Sequence, residues 1–224
     1  MIDARGVARR FGASWVLRGV TVQATAGETV GLLGVNGSGK STLLRILSTL
    51  IRPHAGTAHV CGYDVARDPE EVRGCVGYLG HTPGLYDDLT ARENLIFAAS
   101  MLGTDVRHID AMLERVSLSG AADQRVRGFS SGMQRRLAIA RLMLVRPKVL
   151  LLDEPYSNLD TAGIDLMNSL ISEWANQGVA ALVVLHELAP AAGILDRTVT
   201  IVDGRIAEPE PDAGVTILPL AARR

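Results

Sequence analysis

The sequence predicts an α/β fold with an antiparallel β segment at its N-terminus and an inserted all-helical segment. Three observations support this fold class. A strand, a glycine-rich loop and a helix follow one another over residues 28–48. Two apolar runs, at 149–154 and 179–185, have the length and composition of buried parallel strands. Between these two regions, residues 85–145 place their apolar side chains at helical spacing.

Length and composition are consistent with one large domain, or a domain with a subdomain. The chain has 224 residues, a formal net charge of −1 and 47% hydrophobic residues, which argues against a nucleic-acid polycation and against disorder. No apolar run approaches the roughly 20 residues that span a bilayer, and the N-terminus lacks a signal-peptide layout. We therefore expect a cytoplasmic protein. Cys61 and Cys75 have no CxxC partner, and we expect buried or idle thiols of a reducing compartment.

The first 27 residues predict two antiparallel strands. Residues 2–11 and 15–24 are separated by the turn Gly12-Ala13-Ser14, and the second run shows alternating apolar positions. Ala26-Gly27 then turns the chain into the strand at 28–33.

The loop after that strand has the chemistry of a phosphate-binding site. Residues 34–41 read G-x-x-x-x-G-K-S, the phosphate-binding loop of nucleoside triphosphatases. Its glycines allow backbone N–H groups to approach phosphate oxygens ahead of a helix N-terminus. Lys40 would reach the β- and γ-phosphates, and the Ser41 hydroxyl would bind Mg²⁺. The candidate residues are Gly34, Val35, Asn36, Gly37, Ser38, Gly39, Lys40, Ser41 and Thr42.

Two further observations concern this loop. Lys40 and Lys148 are the only lysines of the chain, so a lysine at the motif position is more informative than usual. Phe11 lies where an aromatic ring could stack on a nucleotide base, and a half-buried strand aromatic is an equally good interpretation.

After the first helix, the sequence predicts a turn at 52–56, a strand at 57–61 and another strand at 72–79. The second of these strands ends at Gly80-His81-Thr82-Pro83-Gly84. A glycine- and proline-rich segment just past a strand end is where an α/β fold places ligand-contacting loops.

The helical insertion is predicted over residues 85–145. Thr90-Ala91-Arg92-Glu93 is a capping box, and apolar residues follow at helical spacing until Gly103. A second helix is expected at about 106–116, followed by an irregular connector at 120–128.

Ser130 or Ser131 can cap the third helix of the insertion. With Gly132, these residues would present hydroxyls, N–H groups and the positive end of the helix dipole, which makes a second anion site. Because one nucleotide cannot easily use two such sites on one chain, a partner chain is implied.

Two acids follow the apolar run at 149–152. A carboxylate held beside the phosphate loop can bind Mg²⁺ directly or through water, and Asp153 is the candidate for this role. Glu154 is placed to accept a proton from the attacking water. Pro155 ends the strand.

The last predicted elements are a helix at 161–176, a strand at 179–185 and a hairpin at 198–207. Asp160 is the expected N-cap of the helix, and Gly178 ends it. The strand ends at His186, which can hydrogen-bond a γ-phosphate and the attacking water. Asp203-Gly204 forms the hairpin turn. From Glu208 onward the chain is predicted to be a linker with a short segment of unknown role at 215–220.

The order of these motifs resembles the nucleotide-binding subunit of ATP-binding-cassette (ABC) transporters over residues 1–208. The resemblance implies a RecA-like P-loop core at 1–84 and 146–208, including the antiparallel β subdomain, a helical signature subdomain at 85–145 and a tail at 209–224. It implies a head-to-tail homodimer, or pairing with a like ATPase subunit, around two ATP molecules. Each site would join residues 34–42 of one chain to Ser130, Ser131 and Gly132 of the other, with Asp160 among the nucleotide-contacting residues.

The same resemblance implies ATP hydrolysis with Mg²⁺, with Glu154 as general base and His186 supporting the γ-phosphate. His81 would contact Mg²⁺ and the attacking water. The loop around it would transmit the conformational change of transport to integral membrane subunits. The protein would lie on the inner face of the cell membrane, with no nucleic-acid partner.

Two positions depart from the family pattern. The family usually has Gln at the place of His81, and its signature usually reads Leu-Ser-Gly-Gly-Gln, whereas residues 129–133 read Phe-Ser-Ser-Gly-Met. Ser130 and Gly132 remain, but Met133 removes a polar contact. Neither change argues against hydrolysis, although either could slow it.

Within the family, residues 78–84 and 89–95 are similar to the haem-exporter ATPases of cytochrome c maturation. Those proteins typically have a histidine at the position of His81. The Ser-Gly-Met signature is also common among exporters of drugs, lipids or polysaccharides, which is the alternative. A soluble family member of DNA repair or ribosomes would usually carry a coiled-coil insertion or two cassettes, and neither is present. A kinase or GTPase is disfavoured, because an Asn-Lys-x-Asp segment is absent and such an enzyme would not use the Ser-Ser-Gly helix.

Overall fold

The computed structural model describes residues 1–207, and the tail predicted from Glu208 onward lies outside the described residues. The strands within that range are β1 (Ile2–Phe11), β2 (Ser14–Ala24), β3 (Thr29–Leu33), β4 (Ala55–Val60), β5 (Tyr63–Asp64), β6 (Val76–Leu79), β7 (Val149–Asp153), β8 (Ala180–Val184), β9 (Arg197–Val202) and β10 (Arg205–Ile206). The helices are α1 (Lys40–Leu47), α2 (Pro69–Cys75), α3 (Ala91–Leu102), α4 (Ile109–Arg115), α5 (Ser131–Met143) and α6 (Thr161–Asn176).

The strands form two sheets. Four strands make an antiparallel sheet in the order β2-β1-β4-β5, and six make a larger sheet in the order β10-β9-β3-β8-β7-β6. In the larger sheet β9, β3, β8, β7 and β6 are parallel neighbours, and β10 closes a hairpin on β9. The carboxyl ends of β3, β7 and β8 therefore lie at one edge, where parallel α/β sheets bind ligands.

The central strands are buried on both faces, which explains their continuous apolar sequences. Every residue of β7 and of β8 is buried. Along β7, Leu150 and Leu152 pack into a core with side chains of α3, α5 and α6. Val149 and Leu151 pack into a second core with α1 and the antiparallel sheet. The larger sheet thus divides two cores, as the alternation of side chains along a strand requires.

The helical insertion follows the predicted capping pattern. At the start of α3, Thr90 Oγ1 accepts from the N–H of Glu93 at 3.1 Å, and the Glu93 carboxylate accepts from the N–H of Thr90 at 2.8 Å. Gly103 ends the helix with φ 63°, as expected for a C-cap. The next helix, α4, begins at Ile109 rather than near residue 106, because the Asp105 carboxylate accepts from the N–H of Arg107 and holds a turn there.

The predicted strand at 72–79 is wrong over its first half. Residues Pro69–Cys75 form α2, and only Val76–Leu79 is a strand. Proline occupies the first turn of this helix, with two acidic residues beside it, and both features favour a helix N-terminus. Val72 and Cys75 are buried at helical spacing, so the apolar residues belong to one helix face.

The two cysteines come together in space. Both are free thiols; Cys75 is buried at the end of α2 and Cys61 is half-buried after β4. Burial and the neighbouring Cys75 raise the pKa of the Cys61 thiol to about 11. The Cys61 thiol is therefore protonated at neutral pH, and a protonated thiol is a poor nucleophile.

No helix within residues 1–207 combines the length and the apolar composition needed to cross a membrane.

Candidate functional site

Candidate residues from several parts of the chain meet at the carboxyl edge of the larger sheet. The glycine-rich loop follows β3, Asp153 is the last residue of β7, and His186 follows β8 closely. Glu154 comes directly after Asp153, and its N–H donates to Val184 O of β8 at 3.2 Å. The parallel register of the three strands brings these side chains to one place.

The phosphate loop needs two of its glycines for packing as well as for backbone conformation. Gly34 has φ 146°, and a Cβ there would lie 2.3 Å from Ile201 O. Gly39 has φ 108°, and a Cβ there would lie 2.5 Å from Leu17 Cδ2. The loop therefore packs closely against β9 and β2. This packing holds the backbone N–H groups of the loop in place before α1.

Lys40 folds its charged end back onto the loop. Its Nζ donates to Gly34 O at 2.7 Å and to Val35 O at 3.0 Å. Burial lowers the pKa of Lys40, while the nearby carboxylates of Glu154 and Asp153 oppose that shift. A partly desolvated ammonium held by two neutral carbonyls is well suited to exchange them for phosphate oxygens, which carry charge.

Ser41 and Asp153 form a paired set of oxygen ligands. Ser41 Oγ donates to Asp153 Oδ1 at 3.0 Å, and the other carboxylate oxygen, Oδ2, is buried without a hydrogen-bond partner among residues 1–207. Burial raises the pKa of Asp153 above its ordinary value. An unpartnered buried carboxylate oxygen beside a hydroxyl fits a hard divalent cation such as Mg²⁺, which takes few protein ligands and fills the rest with water and phosphate.

Glu154 is held by a small group of polar side chains. His186 Nε2 lies 2.5 Å from Glu154 Oε1, His81 Nδ1 lies 3.4 Å from Oε2, and the Ser157 hydroxyl donates to Oε2 at 3.3 Å. Burial by itself would raise the pKa of Glu154, but the hydrogen bond and charge of His186, with His81 and Ser157, outweigh burial and lower it. Glu154 is therefore ionised at neutral pH, as an acceptor of protons must be.

Phe11 lies in the groove beside the phosphate loop. It shares that groove, about 340 Å³ in volume, with Gly37, Lys40, Thr42 and Glu154. The Phe11 ring is 48% exposed, and the Arg9 guanidinium lies 4.8 Å from its centroid. The position is compatible with base stacking, which stays a prediction.

The predicted second anion site belongs to a different part of the surface. Ser130, not Ser131, is the N-cap of α5, and its hydroxyl accepts from the N–H of Met133 at 3.2 Å. Asp160 caps α6 by accepting from the N–H of Gly163 at 3.0 Å. In the described structure, the grooves lined by the phosphate loop contain none of Ser130, Ser131, Gly132 and Asp160.

Two features were missed by sequence reasoning. Arg135 is buried and donates hydrogen bonds to the backbone around Asp153 and Glu154. The sequence feature that could have indicated this role is an arginine at a position of the predicted helix that faces the core. Ser157 contacts Glu154, but a serine in a loop carries no distinctive pattern.

Comparison with known proteins gives consistent results. A family model described as "ABC transporter" matches residues 17–157. The cytochrome c biogenesis ATP-binding export protein CcmA 2 of Cupriavidus metallidurans is 38% identical over 199 residues, which cover 88% of this chain and 94% of that protein. The Nod factor export ATP-binding protein I of Burkholderia lata is 38% identical over 217 residues, which cover 95% of this chain and 71% of that protein.

A solved structure is also similar. It is a dimeric ATP-binding cassette in a post-hydrolysis state, bound to ADP and Pi. It matches with a TM-score of 0.80 and 26% identity, covering 93% of this chain and 97% of that one.

Proposed function

The chain belongs to the ABC transporter family, and on this premise we propose that it is the ATP-hydrolysing subunit of an exporter. The predicted family and α/β fold class are confirmed. The observation that carries the proposal is the convergence at one sheet edge of Lys40, the Ser41–Asp153 pair and the Glu154–His186 pair.

Each residue at this edge has a distinct part in hydrolysis. The loop N–H groups and Lys40 bind the phosphates, and Ser41 with Asp153 would hold Mg²⁺, which supplies charge neutralisation at the phosphate oxygens. Glu154 accepts the proton of the water whose oxygen attacks the γ-phosphorus, and the bond to the bridging oxygen of ADP breaks. His186 orients Glu154, and His81 contacts the same carboxylate through its other oxygen. His186 would also reach the γ-phosphate of bound ATP.

The active form in this proposal is a head-to-tail dimer. The N-terminus of α5 offers the Ser130 hydroxyl and unpaired N–H groups to an anion, but this N-terminus does not line the phosphate-loop grooves of its own chain within the described residues. A second copy, or a like ATPase subunit, would bring its Ser130–Gly132 segment and Asp160 to the nucleotide. The similar cassette structure is dimeric and holds ADP and Pi, which supports this arrangement.

The membrane partner would dock in an apolar groove next to the His81 loop. The groove has a volume of about 300 Å³ and is lined by Tyr78, Tyr86, Phe97, Met101 and Arg141 among others. Four of its apolar side chains are well exposed: Met101 at 74%, Tyr86 at 54%, Leu102 at 48% and Phe97 at 42%. Exposed apolar grooves of this kind accept amphipathic helices of partner proteins.

Arg141 connects this groove to the catalytic edge. It donates to Pro83 O at 2.7 Å and to Gly84 O, and these residues belong to the loop that carries His81. A partner bound in the groove would contact Arg141, and a shift of Arg141 would move the loop that carries His81. The chain would then lie on the inner face of the cell membrane, in contact with integral membrane subunits.

For the cargo, we favour haem export in cytochrome c maturation. The relative named for cytochrome c biogenesis is matched over 94% of its length, whereas the relative named for Nod factor export is matched over 71%. Export of a drug, lipid or polysaccharide is the second candidate, because that relative is as similar in identity. Expression of the chain in a bacterium that lacks its own haem-exporter ATPase tests the choice: covalent haem in c-type cytochromes should return, and its continued absence would favour the second candidate.

The ATPase assignment is tested with the purified chain and Mg-ATP. Glu154→Gln should retain ATP binding, slow turnover by roughly 10²–10⁴-fold, the usual share of a general base, and accumulate an ATP-bound dimer in size-exclusion chromatography. Lys40→Ala should weaken ATP binding and form no such dimer. Glu173→Gln is a control, because Glu173 pairs with Arg115 on the surface. A Glu154→Gln protein that turns over at the parent rate would assign the base elsewhere, and a parent chain without hydrolysis would refute the proposal.

A further inference from the structure

Arg135 is a charged side chain buried inside the fold. It lies in α5, is 3% exposed, and has no carboxylate within 4.0 Å in the part of the chain that is described. Burying a cation without a paired anion is costly unless its N–H groups are satisfied. Arg135 therefore depends on hydrogen-bond acceptors in the surrounding structure.

In the part of the chain that the structure describes, every hydrogen bond of the Arg135 side chain goes to a backbone carbonyl oxygen. Nη1 donates to Gly80 O at 2.8 Å, Nη2 donates to Asp153 O at 2.9 Å and to Glu154 O, and Nε donates to Pro155 O at 3.3 Å. The planar guanidinium, with five N–H groups in a fixed fork, is the side chain that can reach such a set at once.

These acceptors define the backbone that carries the proposed general base. Three of them are consecutive, from Asp153 to Pro155, and the middle residue, Glu154, has φ 53°. The left-handed region is unfavourable for residues other than glycine, so it persists where surrounding contacts require it. Charge-assisted bonds from Arg135 to all three carbonyls provide such contacts.

The fourth acceptor joins a second catalytic segment to the same side chain. Gly80 immediately precedes His81, whose ring faces the Glu154 carboxylate. Arg135 itself belongs to α5, whose first turn is the proposed contact with the partner's nucleotide. The guanidinium of Arg135, which α5 carries, thus bonds to the turn of Glu154 and to the base of the His81 loop.

We propose that Arg135 is a positioning residue for hydrolysis, which sets the backbone of Glu154 and joins it to the His81 loop and to α5. The inference rests on the proposed function, since it concerns the rate of the reaction assigned to this site. Among residues 1–207, none of the hydrogen bonds of Arg135 reaches residues 34–42, so its role is separate from nucleotide binding.

The expected signature is a loss in kcat without a loss in ATP affinity. Arg135→Met has a side chain of similar length but no donor, so the carbonyls from 153 to 155 lose their partners and the Glu154 turn shifts. A displacement of about 1 Å at a catalytic group can reduce the rate about 10²-fold. ATP binding, measured by titration with a fluorescent ATP analogue, should be unchanged.

Two further variants separate positioning from general destabilisation. Arg135→Gln keeps N–H donors without the charge, and it should recover part of the lost kcat because one or two carbonyls regain a partner. Leu137→Ala removes a buried side chain from the same helix without touching the turn, and it should lower the Tm while kcat stays near the parent value. All rates are measured on the full chain, well below the Tm of each variant.

The outcomes are distinguishable. A parent-like kcat in Arg135→Met, or a kcat loss in Leu137→Ala equal to that in Arg135→Met, would overturn the positioning role while leaving the proposed function intact. If Arg135→Met does not fold, Arg135→Gln must still lower kcat at unchanged ATP affinity, and a parent-like kcat there overturns the role. A parent chain that binds ATP but does not hydrolyse it refutes the proposed function, and this inference with it.

Discussion

Alanine at Gly34 should damage the phosphate loop by steric contact alone. The Cβ of this alanine would lie 2.3 Å from Ile201 O and 2.7 Å from Ser38 Oγ, whereas ordinary contact begins at 3.4 Å. A backbone oxygen within β9 cannot rotate away as a side chain can, so the loop itself must move by about 1 Å. The φ of 146° is a further obstacle for an L-residue.

The displacement of the phosphate loop should lower its affinity for ATP. In the proposed site, N–H groups of the same loop would bind the phosphate oxygens, and a misplacement of about 1 Å can cost about 10²-fold in such oriented contacts. A 10²-fold rise in Kd corresponds to about 2.7 kcal/mol. We therefore expect the Kd for ATP of Gly34→Ala to rise about 10²-fold, with turnover at low ATP falling in proportion.

Titration of the purified variant with a fluorescent ATP analogue measures this effect, and circular dichroism checks that the variant is folded. Gly62→Ala is the matched control. Gly62 also has a positive φ, of 88°, but no atom of the described residues would lie within 4 Å of the added Cβ. That variant should carry only the left-handed backbone cost, about 1–2 kcal/mol, and bind ATP as the parent does. A folded Gly34→Ala chain with the parent's ATP affinity would refute the steric argument.

Three other changes have defined outcomes. His81→Gln should keep ATPase activity, since an amide retains a hydrogen-bonding group beside Glu154, and an inactive enzyme would show that His81 makes a specific contact. His186→Ala removes a charge-assisted bond from Glu154, so kcat at saturating ATP should fall about 10-fold or more; an unaltered kcat would contradict the role. Glu28→Gln tests pH-dependent stability. Burial opposes ionisation of Glu28, but bonds from Thr25 and Arg197 outweigh it and hold its pKa below the ordinary 4.5. The stabilisation of about 1 kcal/mol should be present above pH 4.5 and disappear as the pH falls through the lower folded pKa, so parent and variant Tm values should converge in acid and differ at pH 7.

Elements with strong local signals were predicted closely. The bounds of α6 agree with the predicted helix at 161–176, because Asp160 caps it through a local bond to the N–H of Gly163. The final hairpin and the capping box of α3 were also correct. The strand predicted at 72–79 was wrong over residues 72–75 and correct over residues 76–79, because apolar residues shared by a short helix and a short strand do not distinguish the two periods.

The sequence by itself determined the phosphate loop, the family and the order of the strands that carry the candidate residues. These depend on short-range patterns: glycines at fixed spacing, caps, and apolar runs. Only the tertiary structure decided that His186 and His81 meet one carboxylate, that Asp153 Oδ2 is buried without a partner among the described residues, and that Arg135 binds the turn at Glu154. Such contacts join residues distant in the chain, and they arise from the register of parallel strands and from packing of α5 against their ends, which no local pattern encodes.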